Sequence, residues 1–107
     1  MVTYEVNLNV DAGIEADYRA WLDDHVRAML ALPGFVDATV FDVHEPAEPG
    51  RAGLCVQYRM RDMAALERYL AEDAPHMRED GIARFGGRFG ATRRILLDRR
   101  MAASTPC

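Results

Sequence analysis

Hydrophobic residues recur along this chain with two different periods, and each period predicts a different element. From Val2 to Val10 every second residue is apolar, which predicts a strand with one buried face. From Ile14 onward the apolar residues recur every three or four positions, which predicts one long amphipathic helix that stops at Leu32-Pro33-Gly34. The predicted buried face of this helix consists of Ile14, Tyr18, Trp21, Leu22, His25, Val26, Met29 and Leu30.

Three later stretches have the pattern of strands. Phe35 to Val43 is rich in β-branched and aromatic residues, and the Pro/Gly-rich segment 45–50 that follows predicts a hairpin. The return strand is predicted from the alternation that runs from Leu54 to Met60. Phe89 to Leu97 is the last predicted strand. Arg93 and Arg94 must lie on opposite faces of it, and the sequence leaves open which of them points inward.

A second helical segment lies between the last two strands. Asp62 is suited to cap it, and Pro75 fits the first turn of a new helix, so a break is predicted at Asp73-Ala74-Pro75. The predicted fold class is therefore α+β, with the ferredoxin-like order β-α-β-β-α-β, an antiparallel sheet and a second helix that is broken at Asp73-Pro75.

The totals predict an ordinary single domain. We expect it to span residues 1–98 of the 107 and to be followed by a frayed tail at 99–107. No apolar run approaches the roughly 20 residues that cross a membrane, and no signal-peptide pattern follows Met1, so we expect a cytoplasmic protein without membrane contact. The chain has no Lys and one Ser, which argues against Schiff-base and serine-hydrolase chemistry.

The charges are unevenly distributed around a net charge of −4. Residues 1–83 carry 16 acidic residues and 7 Arg, whereas residues 84–107 carry 1 acidic residue and 6 Arg. The basic end is either a solvated surface or an anion-binding patch. Nucleic-acid binding is not expected, because the third strand has Gly53 and Cys55 where an RNA-binding sheet carries stacking aromatics.

In a ferredoxin-like domain the helices cover one face of the sheet and leave the other bare. The predicted bare face mixes polar and apolar side chains, namely Thr3, Glu5, Asn7, Asn9, Phe41, Val43, Cys55, Gln57 and Arg59. Such a mixture suits a two-fold interface that encloses a wet space. We therefore expect a homodimer that is formed through the sheet faces.

The chain resembles the dimeric α/β-barrel superfamily and, within it, a small bacterial family of uncharacterised function. The resemblance rests on the strand Tyr4-x-Val6-x-Leu8-x-Val10, the helix pattern Trp21-Leu22-x-x-His25, the segment Val56-Gln57-Tyr58, and a run that includes Leu66 to Leu70, Ala74, Pro75, Arg78, Arg84 to Gly86, Arg88 and Phe89. It implies the same fold and assembly. It implies no activity, because the superfamily includes cofactor-free monooxygenases, muconolactone-isomerase-like enzymes, haem-binding and haem-degrading proteins, and stress or regulatory domains.

His25 is the candidate catalytic residue, because an imidazole that titrates near neutrality can act as a general base. The alternative is a core or interface histidine that is satisfied by a backbone carbonyl. Trp21 is a candidate ligand contact, although aromatic residues at helical spacing usually fill a core. His25, His44 and His76 have no paired spacing, so no metal site is expected, and no cofactor, haem included, is predicted.

The polar residues of the bare face form a second candidate site. Asn7, Asn9, Gln57 and Arg59 could hold a carboxylate or a phenol-like ligand, or could instead hydrogen-bond between subunits. Two functions follow: a domain that binds a small molecule or a protein partner, and, as the alternative, a cofactor-free monooxygenase- or isomerase-like enzyme for a small aromatic or polyketide-like substrate. The enzyme hypothesis needs one cavity that reaches His25 and at least one of these polar residues.

Overall fold

A computed structural model describes residues 1–45 and 48–99, together with residues 102 and 104. The chain forms four strands, namely β1 (Val2–Asp11), β2 (Phe35–Asp42), β3 (Arg51–Met60) and β4 (Phe89–Leu97). It forms three α-helices, namely α1 (Glu15–Leu30), α2 (Met63–Glu72) and α3 (Ala74–Phe85). Short 3-10 turns precede α1 and β4, at Ala12–Ile14 and Gly86–Arg88. Within these described ranges, no helix is long and apolar enough to cross a membrane.

The strands form one antiparallel sheet in the order β2-β3-β1-β4, and the predicted ferredoxin-like α+β fold is confirmed. The predicted break in the second helix is also confirmed, because α2 ends at Glu72 and α3 begins at Ala74 with Pro75 in its first turn. Asp62 caps α2 by accepting a hydrogen bond of 2.8 Å from the Ala65 N–H. Most of the tail predicted at 99–107 lies outside the described residues, and 1–98 remains our proposed extent of the domain.

A glycine forms the turn that leads from α1 into β2. Gly34 has a φ of +86°, a left-handed conformation that other residues adopt only at a cost. A side chain at this position would also collide with the Cβ atom of Ala65, at the start of α2. The chain can therefore turn from α1 into β2 while α2 packs closely against the turn.

All three helices lie on one face of the sheet, and the core lies between. Its fully buried large side chains are Tyr18, Tyr58, Met29, Leu54, Met60, Leu66, Val10 and Val56. The register of β4 is now defined, since Arg93 pairs with Val6 and Arg94 with Glu5 of β1. Arg93 therefore faces the helices, and Arg94 lies on the bare face.

Candidate functional site

A cavity of about 410 Å³ lies between the helix side of the sheet and helices α1 and α3. We call it the inner cavity. Its aromatic walls are formed by Tyr4, Tyr18, Trp21, Tyr58, Tyr69 and Phe89. Gly81 of α3 and Ala91 of β4 also line it, and their small size leaves space that larger residues would fill. Its volume and its aromatic lining are typical of small-molecule sites.

Trp21 and His25 form a stacked pair in the wall of the inner cavity. They lie one helical turn apart on α1, with ring centroids 4.6 Å apart and ring planes 19° from parallel. Trp21 is fixed from the other side, because its Nε1–H donates to Asp80 of α3 at 2.7 Å. The carboxylate of Asp80 also accepts from Arg84. Both rings also face an outer groove between α1 and α3, so the pair separates the inner cavity from this groove.

His25 is half-buried, and its imidazole makes no hydrogen bond with the described part of the chain. The backbone carbonyl that a purely structural histidine would use is therefore not among its partners here. Burial is the main cause that lowers the pKa of His25, and the positive charge of Arg93 lowers it further, whereas Asp80 opposes both. The lowered pKa favours the neutral imidazole, which then has a lone pair available at the cavity wall.

Two arginines that the sequence did not single out as site residues line the same cavity. Arg78 of α3 donates from Nη2 to the hydroxyl of Tyr4 at 2.9 Å, while its Nε is buried without a partner among the described residues. Arg93 lines the cavity from β4. For Arg78 the only signal in the sequence was its place in the run that carries the family resemblance. For Arg93 it was its place in a predicted strand whose inward face was left open. No Asp or Glu is among the residues that line the cavity.

The predicted polar site lies on the opposite face of the sheet. Its centre is Glu5, which is buried and accepts hydrogen bonds from Arg94 (2.6 Å), Gln57 (2.8 Å) and Asn7 (2.9 Å). The bond from Arg94 is the largest cause of the lowered pKa of Glu5. Asn9 accepts from Arg51 at 2.6 Å instead. Arg59 forms a two-pronged ion pair with Asp37, so its charge is already matched within the chain.

The inner cavity does not bring His25 together with the polar residues that the enzyme hypothesis requires. Trp21 and His25 lie on the helix side of the sheet, whereas Asn7, Asn9, Gln57 and Arg59 all lie on the bare side. The physical reason is the two-residue period of a strand, which sends Val6 and Leu8 toward the helices and Asn7 and Asn9 away from them. The sheet itself separates the two sets, and the role of each residue as a ligand contact stays a prediction.

No group of three His, Cys, Asp or Glu within residues 1–45 and 48–99 is close enough together to hold a metal ion. His44 and His76 take no part in the inner cavity. The polar and aromatic groups that line the cavity are aromatic rings, hydroxyls, one imidazole and two guanidinium groups.

Solved structures with the same fold superpose on nearly the whole chain. One is a candidate antibiotic biosynthesis monooxygenase from Deinococcus radiodurans (TM-score 0.72, 15% identity, covering 99% of this chain and 100% of that one). Another is SnoaB, a cofactor-independent oxygenase from Streptomyces nogalater (TM-score 0.66, 14% identity, 96% and 98%). A third is the heme-degrader MhuD from Mycobacterium tuberculosis (TM-score 0.64, 14% identity, 96% and 100%).

These identities are low enough that the likeness defines the fold alone. No curated protein sequence matches the chain. Residues 1–98 match the domain of unknown function DUF4286, and the chain belongs to that family. The resemblance to a family of uncharacterised function within this fold is thus confirmed.

Proposed function

We propose that the inner cavity binds a small aromatic molecule. The observation that carries this proposal is a cavity of about 410 Å³ with six aromatic walls and one imidazole that has no hydrogen-bond partner in the described chain. Flat apolar ligands gain from stacking and from loss of hydrated surface in such a space. The proposal replaces the predicted ligand site on the bare face with one on the helix side.

Filling the cavity tests this proposal. Ala91→Leu adds three carbons inside the cavity wall, and Ala71→Leu makes the same change at an exposed position of α2. Trp21 is the only tryptophan and lies in the wall, so its fluorescence reports on ligands such as naphthalene derivatives. We expect Ala91→Leu to weaken binding at least tenfold and Ala71→Leu to leave it unchanged. Equal binding by both variants would place the ligand elsewhere.

We propose as the alternative a cofactor-free monooxygenase- or isomerase-like enzyme that acts on a small aromatic or polyketide-like substrate. It is supported by the neutral His25 at the cavity wall and by two neighbours that are named as a monooxygenase and an oxygenase. In its first step the His25 imidazole takes a proton from the substrate and becomes imidazolium, and the electron pair stays on the substrate as a delocalised anion beside Arg93. The enzyme hypothesis required a polar residue of the bare face in the same cavity as His25, and in this proposal Arg93, which lines the inner cavity, takes that place.

Oxygen uptake and isomerisation of a panel of hydroxylated aromatic ketones test the enzyme proposal. Loss of a general base typically slows a reaction by about 100-fold or more, so His25→Gln should show such a loss while it still binds the ligand. The matched control is His76→Gln, on the outer surface of α3. Turnover that survives in His25→Gln would leave the binding function and remove the catalytic one.

We also propose a cytoplasmic homodimer that is formed through the bare sheet faces. This surface exposes Phe41 and places Asn7, Asn9, Gln57 and Arg59 where they would contact the partner sheet or a ligand held between the sheets. Light scattering of the purified protein should give the mass of two chains, and Phe41→Asp should lower it toward one. A monomeric wild-type mass would refute the interface.

A further inference from the structure

We infer that the inner cavity selects aromatic ligands that carry an anionic oxygen, a carboxylate or an ionised hydroxyl, and that Arg78 and Arg93 bind this group. The inference rests on the proposed binding function and adds the chemical class of the ligand.

Across residues 1–45 and 48–99, most arginines are matched by a carboxylate, but those of the inner cavity are not. Nine arginines in the described residues pair with carboxylates, namely Arg19, Arg27, Arg51, Arg59, Arg61, Arg68, Arg84, Arg88 and Arg94. Arg78, Arg93 and Arg99 form no such pair within the described part of the chain, and the first two line the inner cavity. The cavity therefore carries two positive charges that no acidic wall residue balances.

Arg78 is held at the cavity by a hydrogen bond to Tyr4. The Tyr4 hydroxyl accepts from its Nη2 at 2.9 Å and fixes the guanidinium at the cavity. The buried Nε of Arg78 has no partner among residues 1–45 and 48–99. A buried donor without an acceptor is unfavourable, and a guanidinium binds anionic oxygens through several N–H groups at once. An anionic ligand would therefore supply what the protein lacks here.

The other titratable side chains of the cavity do not supply a negative charge for the two arginines. Burial raises the pKa of Tyr18, Tyr58 and Tyr69 well above the ordinary value, so these side chains stay neutral hydroxyls. His25 is neutral for the reason given above. None of them brings a negative charge to Arg78 and Arg93. The aromatic lining favours a ligand whose remaining surface is apolar.

Matched ligands test the inference by isothermal titration calorimetry. 2-Naphthoate and 2-naphthalenemethanol share a ring system and differ in charge, and 2-naphthol below and above its own ionisation separates an ionised hydroxyl from a carboxylate. We expect 2-naphthoate to bind at least tenfold more tightly than the alcohol at low salt, and this advantage to shrink as the ionic strength rises. A stronger gain on ionising 2-naphthol would assign the anion as a phenolate.

Variants connect the selectivity to the two arginines. Arg93→Met, at an exposed position of β4, should reduce the affinity for 2-naphthoate toward that of the alcohol. Arg78→Lys keeps the charge but loses the planar fork, and should retain part of the advantage that Arg78→Met loses. The control is Arg27→Met, whose side chain is remote and 74% exposed.

The outcomes separate the two proposals. Equal affinity for 2-naphthoate and the alcohol would overturn the anion inference while the aromatic cavity stands. Binding of none of the probes, in a wild-type protein that melts cooperatively, would overturn both. Tighter binding of 2-naphthoate that is unchanged in Arg78→Met and Arg93→Met would place the anion site away from the inner cavity and refute the inference.

Discussion

Gly81 is the position where the packing of the inner cavity can be tested most sharply. It lies within α3, where the helix passes over the indole of Trp21. A Cβ atom at Gly81 would lie 2.8 Å from Cη2 and 3.2 Å from Cζ2 of Trp21, inside the 3.4 Å at which ordinary contact begins. The indole cannot yield freely, because His25 stacks on it and Asp80 accepts its N–H. We therefore expect Gly81→Ala to destabilise the fold.

Two opposing terms set the size of this effect. Overpacking of one methyl group costs about 1–3 kcal/mol. Replacing a glycine by alanine within a helix gains roughly 0.5–1 kcal/mol. The net loss in the free energy of unfolding is then about 1 kcal/mol, which lowers the melting temperature by roughly 4–8 °C in a domain of this size. A Trp21→Phe background lacks the two indole carbons that the new Cβ atom would meet. There, Gly81→Ala should instead stabilise the fold by roughly 0.5–1 kcal/mol.

Urea unfolding followed by far-ultraviolet circular dichroism measures all four corners of this double-mutant cycle without relying on Trp21 fluorescence. The fluorescence is an independent readout, and its emission maximum should shift in Gly81→Ala because the indole moves. Gly87→Ala is the control, since a Cβ there meets nothing within 4 Å. If Gly81→Ala stabilises the protein equally with Trp21 and with Phe at position 21, the indole is not held as described.

Two further predictions concern the core and the acid response. Leu66→Ala, at a fully buried position of α2, should lower the free energy of unfolding by about 2–5 kcal/mol. Ile82→Ala, at a side chain that is 60% exposed, should change it by no more than about 0.5 kcal/mol. Equal losses of stability in thermal melts of the two variants would contradict the described core. Because the pKa of His25 is lowered below 6.5 in the folded chain, the unfolded chain binds this proton first, and the stability of the wild type should fall as pH decreases below about 6.5. His25→Gln should weaken this fall, and parallel urea-unfolding curves for both proteins across this range would contradict a buried neutral imidazole.

The elements of the fold could be predicted because each depends on a local pattern. The last strand was predicted from Phe89 to Leu97, the bounds that β4 has, and Pro75 marked the break between α2 and α3. The long helix was predicted from its apolar period, although α1 begins at Glu15 after a 3-10 turn that Asp11 caps through the Gly13 N–H. Caps, breaks and periods act over a few residues, so the sequence alone carries them.

The site was harder to predict because it depends on how elements pair. Arg93 and Arg94 were known to face opposite ways, but only the pairing of Arg94 with Glu5 shows which one lines the cavity. The contact between Arg78 and Tyr4 joins residues 74 positions apart and has no local signature. In contrast, the sequence was sufficient to predict that His25 and Asn7 lie on different sides of the sheet. The apolar side of β1 must face the apolar side of α1, so its polar side points away from the helix.

The two faces of the sheet differ in how fully their charges are matched, and this difference separates the proposed assembly from the proposed binding. On the bare face, Glu5 is paired with Arg94 and Arg59 with Asp37, so the polar groups are satisfied before any partner arrives. Such a surface can pack against a second copy of the chain without burying an unmatched charge. In the inner cavity Arg78 and Arg93 remain unmatched within the described chain, so an added anion is favoured there. Substitutions on the bare face should therefore leave the ligand affinity of the inner cavity unchanged, and substitutions in the cavity should leave the oligomeric mass unchanged. If Arg93→Met changed the oligomeric mass, the sheet would couple the two faces.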